Sequence, residues 1–393
     1  MLLVTLLATT LVTGAAYETG SRLARGAALR DGTLALAAAQ AGIETAARMA
    51  AADGAWRATL GDGLWIDGLP IDEALVSVLA ADPEDGQIAV IGALKSSSAD
   101  PVRFTATALA RGVSRSLEST CLPIPHPALR CVGFSATTIA LQGVAIEGRL
   151  RAGGDVTHAG GATLHGDITT VTGASVAAEL DDYDTDVHYA PAALALPAVD
   201  FAWFQAAGKR ITVPITRTIA NAVITPTRNP YGPVSPNGIY WIDAGNATVY
   251  FYNSAIEACI AIRNAGEVIV GDWFGNPTYY YHRSPDPDRL PALLVEGDLT
   301  MRIEAGGNLG GAGGLVPSIT SDLEGVFLCT GTFRGPQLGA ASPISCRGSF
   351  LAQAAHFSGP GTLLRHRPEL DLRPLAELTV PGLRPLPGTT REP

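Results

Sequence analysis

The chain of 393 residues is too apolar to be a disordered tail, because 47% of its residues are apolar and only 16% are charged. Its 44 glycines and 27 prolines favour many turns and short strands over a helical bundle. The formal charge of −10 provides no positive field that would concentrate nucleic acid, so we expect no nucleic-acid partner.

The N-terminus begins with an uncharged apolar run, LLVTLLATTLVTGAAY, at residues 2–17. As a helix it would reach roughly 24 Å, below the ~30 Å of a hydrocarbon core, so a membrane span must continue toward Leu23 or begin upstream of Met1. We expect a retained anchor in the inner membrane, with the body in the periplasm or at the cell surface. The alternative is a secretory signal cleaved near Ala15 or Ala16.

The following residues, up to Asp53, are dominated by the strong helix formers Ala, Leu and Arg. The pattern predicts a single long helix over residues 1–53. Its second half is too apolar for a solvated rod, so one side must lie on the following domain or against sister subunits. An ordinary core helix is the simpler alternative.

The apolar span followed by ALAAAQAGIETA, at residues 35–46, resembles the N-terminal region of the PilX-like minor pilins and pseudopilins of type IV pilus and type II secretion systems. The shared element is AGxE-like and consists of Ala41, Gly42 and Glu44. The resemblance covers roughly the first 55 residues. It implies that the helix packs against pilin-like or pseudopilin subunits.

Small residues on this helix are the candidate assembly contacts. Gly26, Gly32, Ala41 and Gly42 would allow close approach of a second helix, as small residues do in membrane packing. Glu44 could pair with a basic residue of a neighbouring subunit, or with the Arg48 of the same helix four residues later.

A small antiparallel sheet is predicted over residues 54–121. ALVSVLAA from Ala74, the turn at residues 82–86 and PVRFTATALA from Pro101 show alternation at period two between turn signals. Such a sheet would bury its apolar face on the preceding helix, which resembles the headgroup of a pilin. The same strands could belong to any small α+β domain.

A Gly-rich body follows over residues 122–376. Short apolar pairs between glycine turns recur, and similar units return as GVFLC from Gly325 and GSFLA from Gly348. One short strand cannot bury its inward side chains alone, whereas stacked coils form a continuous apolar column. The irregular spacing favours a right-handed parallel β-helix, with a β-sandwich as the alternative. The predicted fold is therefore mainly β with a long N-terminal helix.

The combination of this helix with a Gly-rich body resembles surface-assembly proteins with an adhesin-like or polymer-forming part. We expect a structural component of a pilus-like or secretion-related apparatus, and no enzyme, because no nucleophile motif and no pair of catalytic carboxylates stands out. Two alternatives stay open: a secreted polysaccharide lyase or hydrolase, and a self-polymerising scaffold or adhesin.

One acidic segment, LDDYDTD, is the candidate metal site. Asp182, Asp184 and Asp186 stand at alternate positions and could converge on Ca²⁺ if the loop curls, although a solvated acidic loop explains the same pattern. No other cofactor is expected.

Aromatic residues cluster between Tyr240 and Tyr281, where ten of the 25 in the chain lie. Neighbouring residues of a strand face opposite sides, so an exposed row could form a stacking platform for a polysaccharide or a protein partner. The alternative is that these rings fill the interior. The platform would be built from Tyr240, Trp241, Tyr250, Tyr252, Trp273 and Tyr280.

The spacing of the cysteines allows two disulfides, Cys121 with Cys131 and Cys329 with Cys346, and leaves Cys259 unmatched. The C-terminal segment, residues 377–393, is rich in proline and nonperiodic, and we expect it to run as a loosely held tail.

Overall fold

The computed structural model describes residues 2–52, 56, 63–81, 83, 100–180, 185–273, 276–304, 306–307, 319–320, 322–338, 345–359, 362–371 and 375–392. Two compact units are present. The first contains the N-terminal helix, a small sheet and the C-terminal residues from Pro381. The second runs from Pro125 to Val380 and is therefore inserted into the sequence of the first.

The first unit is a long helix on an antiparallel sheet. Helix α1 (Leu2–Ala52) precedes the strands β1 (Leu64–Ile71), β2 (Ala74–Ala81), β3 (Val102–Ala110) and β4 (Val113–Pro125). Neighbouring strands pair antiparallel in the order β1, β2, β3, β4. The predicted long helix and small antiparallel sheet are confirmed.

The period-two pattern of β2 and β3 places small or branched side chains on one face of this sheet. Val76, Val78, Phe104 and Ala106 are fully buried there, while leucines of the opposite face stay exposed. The helix packs on the buried face through a stripe at helical spacing, made of Ala35, Ala38, Ala39, Gly42, Ile43, Ala46 and Ala50. Small side chains let the helix backbone lie close to the sheet.

The second unit is a parallel β-helix built from many short strands. In chain order they are β5 (Gly133–Ser135), β6 (Ile139–Gln142), β7 (Ala145–Glu147), β8 (Leu150–Ala152), β9 (Val156–Ala159), β10 (Thr163–His165), β11 (Ile168–Val171), β12 (Val187–Ala190), β13 (Lys209–Arg210), β14 (Thr218–Ala220), β15 (Val223–Ile224), β16 (Ile239–Asp243), β17 (Thr248–Tyr252), β18 (Ser254–Glu257), β19 (Cys259–Arg263), β20 (Glu267–Val270), β21 (Asp272–Trp273), β22 (Asn276–Arg283), β23 (Leu293–Val295), β24 (Asp298–Glu304), β25 (Gly306–Gly307), β26 (Ile319–Thr320), β27 (Asp322–Cys329), β28 (Thr332–Leu338), β29 (Ser345–Ala352), β30 (Ala354–Ser358) and β31 (Leu363–Arg365). A short helix, α2 (Phe201–Ala207), lies between β12 and β13.

Three parallel faces form the coils. Face A stacks β13, β16, β19, β23, β27, β29, β5, β8, β11 and β12. Face B stacks β14, β17, β20, β24, β28, β30, β6 and β9. Face C stacks β15, β18, β22, β27, β29, β31, β7 and β10. These parallel ladders confirm the predicted β-helix.

The order of coils in the stack differs from their order in the chain. The chain enters in the middle at β5, reaches one end at β12, and resumes at the opposite end with β13. It then returns coil by coil until β29 pairs with β5, where Phe350 stands opposite Gly133 and Leu351 opposite Phe134. The stack is thus joined by residues more than two hundred positions apart in sequence.

Aromatic rings fill the middle of the coil interior. Phe327 and Phe350 stack on neighbouring coils with centroids 5.2 Å apart, and Phe350 continues to Phe333 and Phe357. Gly133 is the interior residue that makes room, because an added Cβ would lie 2.8 Å from the ring of Phe357. The similar GVFLC and GSFLA units therefore stack directly on each other, as β27 on β29.

Both ends of the interior column are covered by loops. At the β12 end, Leu180 from a short 3₁₀ turn is buried in the interior cluster. At the β13 end, the Tyr231 hydroxyl accepts from the Ala220 amide at 3.0 Å and donates to its carbonyl, while the ring packs on the same cluster. Outside these covers, apolar side chains stay exposed on both end coils, with Tyr189 of β12 56% and Ile215 after β13 fully exposed.

Face A is buried on its outer side as well. The capped helix α2 covers it, with Asp200 accepting from the Ala202 and Trp203 amides at its N-terminus. Phe204 of α2 packs in a second apolar cluster with outward residues of face A such as Cys259 and Leu294. This explains why strands such as CIAIR at β19 read as continuous apolar runs rather than alternating ones.

The C-terminal segment returns to the first unit. Its strand β32 (Thr379–Pro385) is the fifth strand of the small sheet, next to β4. Beyond it, the backbones of Glu118 and Arg391 exchange two hydrogen bonds of 2.8 and 2.9 Å, and the hydroxyls of Ser119 and Thr390 lie 3.0 Å apart. The prediction of a loosely held tail is wrong, because its prolines fall on an edge strand, where a missing amide costs little.

A first prediction concerns Gly42, whose added Cβ would lie 2.6 Å from the Val76 Cγ1 atom. We expect Gly42→Ala to lower the stability of the first unit by about 1–3 kcal/mol through overpacking, although alanine favours helix. Gly26→Ala is the matched control, because nothing lies within 4 Å of that position. Denaturant unfolding of both variants checks this, and equal midpoints would contradict the tight contact.

A second prediction concerns the buried His282. Burial lowers its pKa from 6.5 to about 4, and it is held neutral between the Tyr280 hydroxyl at 2.7 Å and the Ala258 carbonyl at 3.0 Å. The unfolded chain therefore binds the proton more readily. Stability is fully present above pH ~6.5 and is lost as the pH falls toward 4, by about 3 kcal/mol.

Urea unfolding at pH 7.5 and 4.5 measures this loss. The double variant Tyr280→Phe/His282→Leu removes the titrating group together with its hydroxyl partner, so its stability should depend less steeply on pH. An unchanged pH dependence in the double variant would exclude His282 as the source. The buried His126, whose pKa burial also lowers to about 4, remains in both proteins.

Candidate assembly surface

The N-terminal half of α1 is exposed over most of its length. From Thr9 to Arg30, every described side chain is exposed except the half-buried Ser21. The exposed set includes large apolar side chains, with Leu11 66%, Tyr17 82%, Leu23 70% and Leu29 72% exposed. The C-terminal half of the same helix is buried on the sheet, so α1 changes from a free rod to a packed element near Asp31.

Charged side chains accompany the exposed half. Arg22 and Glu18 form an ion pair of 2.6 Å one helical turn apart, and both stay largely exposed. Asp31 marks the start of the packed half, since Arg111 from the β3–β4 turn approaches it at 3.9 Å. The helix therefore presents mixed apolar and charged surface before the sheet covers it.

No helix among the described residues combines the length and the apolar character that crossing a lipid bilayer requires.

The five predicted assembly residues fall into different environments. Gly42 is buried against Val76 of the sheet, and a Cβ added at the buried Gly32 would lie 3.5 Å from the Arg115 guanidinium, so both serve packing within the chain. Ala41 is half-buried, whereas Gly26 is exposed with no neighbour within 4 Å. That these four residues allow close approach of a neighbouring subunit's helix stays a prediction, and at Gly42 the chain's own sheet already occupies the adjacent space.

Glu44 is exposed on the packed half of the helix. It accepts a hydrogen bond of 3.3 Å from the Gln40 side chain one turn earlier, in place of the expected ion pair with Arg48. Both Glu44 and Arg48 line a groove of about 400 Å³ between α1 and the C-terminal strand, whose apolar lining includes Ile43 and Leu383. The return of the C-terminal strand, which sequence analysis missed, creates this groove.

The aromatic residues predicted as a platform are dispersed. Tyr240 and Tyr280 are fully buried inside the coil, with the Tyr240 hydroxyl donating to the Thr225 carbonyl at 2.7 Å. Trp241 is half-buried in the outer cluster of face A, below the Arg210 guanidinium at 5.3 Å. The prediction that these rings form an exposed stacking platform is therefore wrong. Successive residues of a strand face opposite sides, so the rings of Tyr240 and Trp241 point into the coil and out of it, respectively.

Two of the remaining platform residues point outward on face B. Tyr250 is 37% exposed, and Tyr252 is half-buried beside it on the same strand, β17. The side chain of Trp273 lies outside the described residues. On face B, Tyr250 stacks between Thr218 and Ile269, and Thr300 follows Ile269, so this column is mixed rather than a row of aromatic rings.

Exposed carboxylates of the β-helix face arginines on neighbouring coils. Glu257 pairs with Arg283, Glu147 with Arg365 at 2.7 Å, and Asp298 with Arg334 at 3.2 Å. The Arg365 hydrogen bond lowers the pKa of Glu147. With its pKa lowered, Glu147 is a poor candidate for the proton-donating acid that glycoside cleavage needs.

All five cysteines are buried thiols, and neither predicted disulfide is formed. Burial raises the pKa of Cys121 to about 11 and that of Cys329 to about 12, and it raises the pKa values of Cys259 and Cys346 further. Cys329 and Cys346 are interior residues of the coil, where the packing of the stack fixes their positions. The cysteine spacing therefore indicated pairs that the fold does not make.

A third prediction follows for thiol chemistry. In the native protein at pH 8, a thiol reagent such as Ellman's reagent should react with none of the five cysteines rapidly, because all five side chains are buried. After denaturation without reductant, five thiols should react. A count of three reactive thiols in the denatured protein would indicate one disulfide, and a count of one would indicate both predicted disulfides.

Comparison with known proteins gives limited similarity. No family model and no curated protein matches the chain. Among solved structures, the competence-associated pilin ComZ from Thermus thermophilus is similar at 11% identity, over 92% of this chain and 97% of that one, with a TM-score of 0.24. The ice-binding protein_1 DUF3494 domain of Shewanella frigidimarina is similar at 10% identity, over 62% of this chain and 98% of that domain, with a TM-score of 0.25. Superpositions this loose carry no argument about function.

Proposed function

We propose that the chain is a non-enzymatic structural subunit of a pilus-like or secretion-related assembly at the cell surface, related in design to minor pilins of the PilX-like kind. The exposed half of α1 joins it to pilin-like or pseudopilin subunits. The inserted β-helix is the part that it displays. One observation carries the proposal: a continuous helix whose C-terminal half is packed on its own sheet and whose N-terminal half is bare.

The energetic argument rests on the exposed apolar side chains. Leu11, Leu23 and Leu29 are each at least 66% exposed, and burying a leucine against a neighbouring helix gains about 1.5–3 kcal/mol. A free helix of this length has no tertiary packing to stabilise it in water. Association with other helices supplies both the packing and the burial, which supports an assembly role.

The packed half of α1 supports the same role by fixing the rod to a folded unit. The small sheet holds residues 35–50 of the helix through fully or nearly buried contacts, so a load on the free half is transmitted to the sheet. Glu44 and Arg48 remain outward on this half and are available to partners.

Among the paired carboxylates of faces B and C, Glu147 has a lowered pKa, which does not favour the polysaccharide-cleaving alternative. Neither alternative is favoured by a specific feature of the described residues.

A fourth prediction tests the helix. In a host that has pilus or secretion machinery, the double variant Leu23→Glu/Leu29→Glu should be depleted from sheared-filament fractions by about tenfold or more, because charges replace the surface to be buried. Circular dichroism and the unfolding midpoint should stay unchanged, since both positions are exposed. Cross-linkers placed at residues 20–30 should capture pilin-like partners from the wild type.

The matched control is Leu75→Glu/Leu109→Glu, a pair of exposed leucines that face each other on the outer side of the sheet. It introduces the same two charges at exposed leucines, 54% and 48% exposed, but leaves the helix intact, so incorporation should persist. Glu44→Ala should reduce incorporation without unfolding the protein. Normal incorporation of the helix double variant would refute the proposed function.

A further inference from the structure

Three metal-ligating side chains meet at the last coil of face A. Asp167 precedes β11 and Asp186 precedes β12, and because Ile168 pairs with Val187 the two carboxylates occupy the same position on successive coils. His188 lies two residues after Asp186, on the same side of β12. One ligand atom from each of the three residues lies within 4.8 Å of the other two.

The charges at this position are incompletely balanced. Arg149, one coil below, contacts Asp167 at 3.3 Å. Within the part of the chain that the structure describes, Asp186 has no ion pair. Another stacked acidic pair, Glu267 and Asp298, differs in that Arg334 reaches both carboxylates, at 4.0 and 3.2 Å. Facing carboxylates repel each other, so the Asp167–Asp186 pair lacks one positive charge.

We propose that Asp167, Asp186 and His188 bind a divalent transition-metal ion of the zinc class. Two carboxylate oxygens and one imidazole nitrogen are a donor set that suits Zn²⁺ or Mn²⁺ and disfavours Ca²⁺ and Mg²⁺, which take oxygen ligands. The side chains are half-buried or exposed, so they can close from 4.8 Å to ligand distances by rotation, and water completes the shell.

The site differs from the Ca²⁺ loop that the sequence predicted. Of Asp182, Asp184 and Asp186, only Asp186 belongs to it; Asp182 and Asp184 lie outside the described residues. The new members, Asp167 and His188, come together with Asp186 only because parallel coils stack in register. A bound ion would tie the last two coils of face A to each other.

The test is a metal titration of the full-length protein after chelator treatment. ZnCl₂ should bind the wild type with a saturable isothermal titration signal near one equivalent and raise its unfolding temperature, while MgCl₂ and CaCl₂ at the same concentration should not. Asp186→Asn and His188→Ala should each weaken zinc binding at least about tenfold. Glu257→Gln and His356→Ala, a half-buried acid and an exposed histidine elsewhere on the β-helix, should bind zinc as the wild type does.

The metal-free state gives a readout that separates ligand loss from misfolding. Without zinc, Asp186→Asn should unfold at the wild-type temperature or above it, because a repulsive charge is removed, yet its zinc-induced rise should vanish. Absence of saturable zinc binding to the wild type, or an equal zinc-induced rise in the wild type and both variants, would overturn the proposal. Neither result would bear on the assembly role of α1.

Discussion

The pairing of β29 with β5 is the contact on which the β-helix depends. It joins the coils that the chain builds first to the coils that it builds last, with Phe350 opposite Gly133. Without it, two shorter stacks would each expose an apolar end, because a coil buries its interior only against a neighbour. The aromatic column is centred on this junction, where Phe350 and Phe357 fill the space that Gly133 leaves. Large interior phenylalanines thus stabilise this junction, which chain connectivity does not provide.

This junction also explains what the sequence could and could not predict. Glycine turns and short apolar pairs indicated stacked coils, since each coil is local in sequence. The order of the coils could not be predicted, because the apolar pattern of GSFLA at Gly348 is the same whichever coil it pairs with. For the same reason the spacing of Cys329 and Cys346 suggested a disulfide, although both side chains belong to separate positions of one interior column.

The candidate site shows a similar division. The length of α1, and the packing of its second half on the following domain, could be predicted, because helix propensity and periodicity are local properties. The sequence could not predict which small residues stay exposed on the helix, because packing on a sheet and packing on a partner helix favour the same residue types. Gly42 and Gly26 look alike in the sequence, and only the contact with Val76 separates them. Likewise Asp167 and His188 carry no motif, and only the register of β11 with β12 brings them to Asp186.

The insertion of the β-helix into the first unit constrains how the protein folds. Strands β1 to β4 and helix α1 are contiguous in the chain, but the fifth strand of their sheet lies after the whole β-helix. The hydrogen bonds between Glu118 and Arg391 span 273 residues, so closing that loop before the β-helix is compact would carry a large entropic cost. A compact β-helix shortens the effective distance between its two chain ends. The entropic cost therefore favours formation of the β-helix before the C-terminal strand pairs with β4, and the groove beside Glu44 needs that strand because Leu383 lines it.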